Sequence, residues 1–491
     1  MFYDAFGQGL ERNFSSTAGF STSVVTPPSD NPVTVPRFTG FYNLPPLSAF
    51  PPAPAGGFPQ TAPLGSELND TGTIDDQLKA PYTMNANFSV GRQFKGGFFV
   101  QLSLIDRQSR RSLVGEDFVE PTNLKDPTSG MTYFQAADLL GKMALNNTPV
   151  SQVPNIAFWQ NMWPGAAGNG LTATQAVYNV YKANAPDWTT ALYNVDIDCN
   201  PACSKLGQNS MFNSQFTGLF GYRSIGNGNY NGLHLTVRKT FSQGYQFDFN
   251  YTWSKCEDLS SSPESSADGG EEPAIWNAWF PSQNKSVCDY DATQVFSALA
   301  VAQLPFGSGK KFLNTPNRLV NNVFGGWQLS GVFTATSGFP VSVANGVGWP
   351  TDWDCSCYAT QTGIVPPTKT TLNASSATPG TQGGANIFAN PAAAFAAYSP
   401  TMAGFIGQRN GIRGEGPFSI DLGLSKRFKL FTFREQPHSL QLRAEGFNIT
   451  NSVRFDASSA SISYSNPNKF GQYSNTFGSP RVLQFSGRYE F

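Results

Sequence analysis

Histidine is nearly missing from this chain, with two in 491 residues, and only 13% of the residues are charged. So little imidazole leaves scant material for histidine-based catalysis or for a histidine metal site. The formal net charge is −1, so nothing points to nucleic acid or to an acidic partner. No apolar run approaches the roughly 20 residues of a membrane-spanning helix. A β-barrel gives no such signal, and a membrane therefore stays open. The N-terminus, MFYDAFGQGLERNF, lacks the basic start and apolar stretch of a signal peptide. A secreted or outer-membrane chain needs one, so a fragment or an internal Met start is expected.

Cysteine is scarce as well. The six fall as Cys199/Cys203, Cys256/Cys288 and Cys355/Cys357, in polar stretches. An even number grouped locally points to disulfides in an oxidising space. Free thiols are the rival reading; zinc fits these spacings poorly without nearby His.

Gly (48), Phe (41) and Tyr (17) are abundant, a mix suited to strands with aromatic faces. From Tyr245 every second residue is apolar: Tyr245, Phe247, Phe249, Tyr251, Trp253, against Gln246, Asp248, Asn250, Thr252 and Ser254. Side chains alternate faces along a strand, so one face is aromatic and the other polar. Leu233, Leu235 and Val237 repeat the pattern against His234, Thr236 and Arg238, and Ser242-Gln243-Gly244 between them reads as a hairpin turn.

Residues 1–82 read as a weak strand remnant followed by a Pro-rich loop. Residues 83–491 carry strands near Met84–Val90, Phe98–Leu104, Ala292–Leu304, Trp327–Phe333, Phe418–Leu424, Leu440–Ala444 and Leu483–Phe491. Long loops fall at about 109–217, 257–291 and 338–416, the first with helical-looking pieces. Short and long links alternate, as in up-and-down outer-membrane barrels with short periplasmic turns and long extracellular loops. The fold expected is all-β: an antiparallel transmembrane β-barrel, partial or open. A soluble secreted all-β binding protein, its aromatic faces packed between two sheets, is the alternative.

The segments YNGLHLTVRKTFSQGYQFDFNYTWSKC, QLPFGSGKKF, FGGWQLSGVFTATSGFPVSV, GQRNGIRGEGPFSIDLGLSKRF, LQLRAEGFNITNSVRFD and FGSPRVLQFSGRYEF resemble the C-terminal barrel portion of TonB-dependent outer-membrane receptors of the Oar-like group. The resemblance implies a barrel around a plug, ligand capture at the outer face, import driven through the TonB complex, and the outer membrane of a Gram-negative-type bacterium. It also implies contact with outer-membrane lipid. The final strand, with Phe485, Tyr489 and Phe491, resembles the signal read by the barrel-assembly machinery. The chain departs from the family in showing no plug and no TonB-contacting segment. Its roughly ten strands stand against about 22 in plugged transporters. A partial barrel leaves two unpaired edges, and each unsatisfied backbone group in hydrocarbon costs several kcal/mol.

Trp159, Trp163, Trp188, Trp349 and Trp353 lie in the long loops, where they either contact a ligand or pack inside the folded loops. Asp248, Asp421, Arg443, Glu445 and Arg488 fall on the polar face and are expected to line a lumen. The acidic run Glu257, Asp258, Glu264, Asp268, Glu271, Glu272 lacks the spacing of a calcium loop and reads as a solvated loop. With His234 in a strand, His438 in a turn and no Gly-x-Ser-x-Gly elbow, no catalytic role and no cofactor is expected. The ligand is not identified by the sequence.

Overall fold

The computed structural model describes residues 69–196, 203–207, 210–211, 216–261, 275–352 and 357–491. The Pro-rich loop, Cys199, Trp353, Cys355 and the acidic residues Glu264, Asp268, Glu271 and Glu272 lie outside them.

Eleven strands build the main sheet among the described residues: the two-residue Ser286–Val287, which pairs with the end of β5, and β1 (Asn69–Ile74), β2 (Tyr82–Phe94), β3 (Phe98–Asp117), β4 (Phe216–Ser242), β5 (Tyr245–Asp258), β6 (Gln294–Gln303), β7 (Trp327–Thr336), β8 (Phe418–Phe433), β9 (Gln436–Phe447) and β10 (Val482–Glu490). From β2 to β10 each pairs antiparallel with the next in sequence. β1 is the exception, running parallel to the start of β4. β2 and β10 are the two edges, and the sheet is not closed.

One register fixes the chemistry of both faces. Phe88 sits opposite Leu104, Leu104 opposite Leu233, and Leu233 opposite Trp253. Farther along, Phe249 faces Ala298, Ala298 faces Phe333, Phe333 faces Ile420, and Leu442 lies opposite Gly487. All of these share one face, because successive side chains alternate. None of the described residues packs over that face: Phe88 is 66%, Trp253 57% and Phe485 77% exposed. A soluble sandwich would bury this row between layers, so the soluble alternative fails. The opposite face is a polar ladder, with Arg238 on Asp248 at 2.8 Å and Arg443 on Glu445 at 2.6 Å. Asp421 accepts the Asn448 amide at 2.8 Å. Leu299 and Val332, opposite one another, interrupt the polar face with apolar side chains.

At one end the connections are tight. Gln243-Gly244 joins β4 to β5 with both residues at positive φ (55° and 87°), the geometry that a two-residue hairpin needs. Arg434-Glu435 does the same between β8 and β9. At the other end the long loops fold into bodies of their own. β3 runs past residue 109 to Asp117, where the long loop was expected to have opened, because its far half pairs with Phe220–Asn227 of β4 through bulges.

That first loop carries helices α1 (Tyr133–Leu145), α2 (Ala157–Met162), α3 (Ala173–Asn184) and α4 (Trp188–Asp196). Thr132 with Gln135 and Thr172 with Gln175 form capping boxes that start α1 and α3. Their apolar faces enclose Trp159, Trp163, Trp188, Tyr133, Tyr178 and Phe158, all essentially inaccessible. A second body gathers Val343, Ile387, Phe388, Tyr398, Ile412 and Phe470 around a small four-stranded sheet. The Tyr133 hydroxyl donates to the Pro350 carbonyl at 2.7 Å, and Thr189 donates to the Trp349 carbonyl at 2.9 Å, which ties the bodies together.

Candidate functional site: the loop cap and the pocket beneath it

The site begins where β5 leaves the sheet. Cys256 and Cys288 are joined by a disulfide across 32 residues, holding the loop that starts at Asp258 against its own return. Asp291 accepts the Cys256 amide at 2.7 Å and pairs with Arg413. Arg409 reaches in from the second loop body, 4% exposed at its side chain, to Asp258 at 2.8 Å and Asp289 at 2.7 Å. It also donates to the Ser261 hydroxyl at 2.8 Å. Burial works against its charge, and the two carboxylates more than offset that. Such a buried, multiply bonded pair fixes geometry, since removing one partner strands the other charge.

Under this clamp lies a pocket of about 420 Å³ on the polar side of the sheet. Arg107, Tyr230, Asp258, Ser261 and Tyr290 line it, with the disulfide as one wall. Tyr230 hydrogen-bonds His234 at 3.2 Å, and Arg107 donates to Asn85 at 2.8 Å. Tyr290 stands 62% exposed at the mouth. The same loop presents Trp279 and Phe280, each 44% exposed. Their rings lie 6.3 and 6.5 Å from Phe134 of α1, and Trp279 donates to the Pro121 carbonyl at 3.2 Å. Cationic, carboxylate, hydroxyl and aromatic groups therefore converge at one mouth, as small-molecule sites do. A larger cavity of about 690 Å³ borders Phe88, Leu104, Leu233 and Trp253, the row on the apolar face, with Asp106, Lys255 and Arg413 also in its lining.

Several expected positions fall elsewhere. Trp159, Trp163, Trp188 and Trp349 are buried, so of the two readings left open they follow packing rather than ligand contact: the first three are core of the helical body and Trp349 sits in a small cluster with Ile406. Cys357 is a free, buried thiol pushed well up by burial, so the expected Cys355/Cys357 pair does not form; Cys357 packs with Trp349 and Ile406 instead. Cys203 is disulfide-bonded. Cys256, Asp258 and Cys288 sit close enough to suggest a metal group, but sulfurs bound to one another are not ligands. Phe485 and Tyr489 lie on the apolar face of edge strand β10, and Phe491 just beyond it is 80% exposed. Tyr290 of the pocket, and the exposed Trp279 and Phe280 of the same loop, were missed in a stretch read as solvated; the apolar string Ile275-Trp276 and Trp279-Phe280 inside it was the available signal.

Two buried carboxyls outside the pocket behave oppositely. Asp126 is buried, which alone would raise its pKa. Donors from Ser129, Asn161 and the Thr128 and Ser129 amides outweigh this and hold it at about 2. Glu120, which among the described residues accepts only the Ala278 amide and faces Asp352, is pushed well up by burial.

The outer membrane beta barrel domain family matches residues 1–484. The chain belongs to that family. It is an outer-membrane barrel domain. Among solved structures it is similar to the outer membrane transporter YddB from Escherichia coli (8% identity, TM-score 0.35), covering 86% of this chain and 34% of that one. It is also similar to FpvAI in complex with pyocin S2 (10%, 0.31, 84% and 27%). P. aeruginosa FpvA bound to heterologous pyoverdines is a third such structure (10%, 0.31, 84% and 28%). The chain thus matches 27–34% of the length of these structures. No curated protein matches it significantly.

Proposed function

We propose that this barrel domain is the membrane part of a TonB-dependent receptor, which captures a small extracellular ligand at the loop cap and passes it inward. The observation that carries this reading is the pocket under the disulfide clamp, with Arg107, Tyr230, Asp258 and Tyr290 converging at the long-loop end of the polar face. Trp279 and Phe280, exposed elsewhere on the same loop, add a stacking surface to the cap. The domain performs no bond chemistry of its own. Its partners are acyl chains along the apolar face, a plug and the TonB complex for import, and the barrel-assembly machinery, which engages Phe485, Tyr489 and Phe491.

The test is capture from the medium. The folded protein in detergent is incubated with spent culture medium, and co-eluting small molecules are identified by mass spectrometry. The same is done with Arg107→Ala/Tyr290→Ala. A species enriched on the wild type and at least about tenfold weaker on the variant, for about 1.4 kcal/mol of contact, supports the reading. Equal recovery on both overturns the pocket as the capture site. Uptake of that species that persists after the proton-motive force collapses overturns TonB coupling.

A further inference from the structure

The link between β6 and β7, residues 304–326, stands apart from the tight turns that share its end of the sheet. Its sequence, LPFGSGKKFLNTPNRLVNNVFGG, holds three cations and no acid. It folds back on itself: the Gly307 amide donates to the Phe312 carbonyl at 2.9 Å, and Asn321 donates to the Thr315 carbonyl at 2.7 Å. Gly307, at φ +105°, lies so close to Gly325 that a Cβ would stand 2.8 Å from its Cα, so glycine is needed there. Asn317 caps the short helix α5 (Arg318–Phe324), its Oδ1 accepting the Leu319 amide at 2.9 Å.

Two side chains of the acyl-facing surface hold this helix. Lys426 and Trp327, paired across β8 and β7, both lie on the apolar face. Trp327 donates to the Val323 carbonyl at 2.8 Å. Lys426 donates to the Asn321 and Asn322 carbonyls. A seven-residue helix is marginal in isolation, so these two donors fix where it lies. They hang it beside the lower rim of the membrane-facing band.

The helix shows its greasy side outward. Leu319 is 76% exposed, and Val323, Phe324, Phe312 and Leu313 are about half exposed. Lys310, Lys311 and Arg318 are exposed beside them and form no ion pair among the described residues. We propose that this link is an interfacial anchor for the periplasmic leaflet. Leu319, Val323 and Phe324 dip among acyl chains, while Lys310, Lys311 and Arg318 bind the phosphates of anionic phospholipid. Continuity with the acyl-facing band chooses lipid as the occupant, and the unbalanced positive charge chooses anionic headgroups.

Hydrogen exchange on the full folded chain tests this, comparing nanodiscs of phosphatidylcholine with nanodiscs containing phosphatidylglycerol. Amides of 319–325 should exchange at least about tenfold more slowly in the anionic discs. Lys310→Gln/Lys311→Gln/Arg318→Gln should erase that difference. Leu319→Ser/Phe324→Ser should speed exchange in both compositions. All five positions are exposed, and heat-modifiable gel migration verifies that each variant is folded. Equal exchange of the wild type in the two compositions overturns headgroup binding. Protection that appears only at high protein concentration, in detergent as in discs, identifies a second copy as the occupant and overturns the lipid proposal.

Discussion

The sheet and the loop cap use the same aromatic residues to opposite ends. In the sheet, Phe88, Trp253 and Phe485 project from one face with none of the described residues over them. In the cap, Trp159, Trp163 and Trp188 are inaccessible, with ring centroids of Trp159 and Trp163 only 5.4 Å apart. The sheet satisfies its backbone by strand pairing and leaves burial of its apolar face to the bilayer. The cap instead buries its aromatics in cores of its own, as a soluble domain does. An aromatic residue therefore reports its medium only through what surrounds it.

The comparison breaks most readily in the cap. Trp159→Ala should cost about 3–5 kcal/mol through the cavity it leaves. Limited proteolysis should then cut within 118–211 while the sheet keeps its heat-modifiable migration. If both regions fail together, they are one cooperative unit and the contrast is wrong.

Leu422→Arg addresses the other side. An arginine at mid-depth on a lipid face costs about 2–4 kcal/mol, read as a shift in the urea midpoint for folding into liposomes. The cap's protease resistance should not change. In a protein whose apolar face met water, a 39% exposed leucine would tolerate this change within about 0.5 kcal/mol.

The smallest effects sharpen the cap alone. Asp126 is held at about 2, below an unfolded value of about 3.9. Its contribution is present above the unfolded pKa and is lost as pH falls toward 2. Asp126→Asn should flatten the acid limb of a tryptophan-fluorescence titration. Glu120 is shifted upward, so its contribution is full below its unfolded pKa and is lost as pH rises through the folded value. Glu120→Gln should remove that loss and raise cap stability at neutral pH. A titration unchanged by either variant removes both carboxyls from the account.

Much of the sheet was legible because its signal is local. Period-two alternation in Tyr245–Trp253 or Phe418–Leu424 is written in adjacent residues, and pairing with the next strand follows from chain order. The alternation of tight and long connections likewise needs no coordinates. The pocket under the clamp was not legible. It joins Arg107, Tyr230 and Tyr290, and its clamp joins Arg409 to Asp258 across 151 residues. Nor does any window around Trp159 or Cys357 say whether a side chain there meets water or a core.

Residue by residue, the sequence determined which face of each strand is greasy, which end carries the loops, and hence which solvent the sheet requires. The tertiary structure alone decided which loop aromatics became core, which stayed exposed at the mouth, and which cysteines met. Alternation along a strand is a property of neighbouring residues, whereas burial in the cap is set by partners such as Tyr133 and Pro350, 217 residues apart.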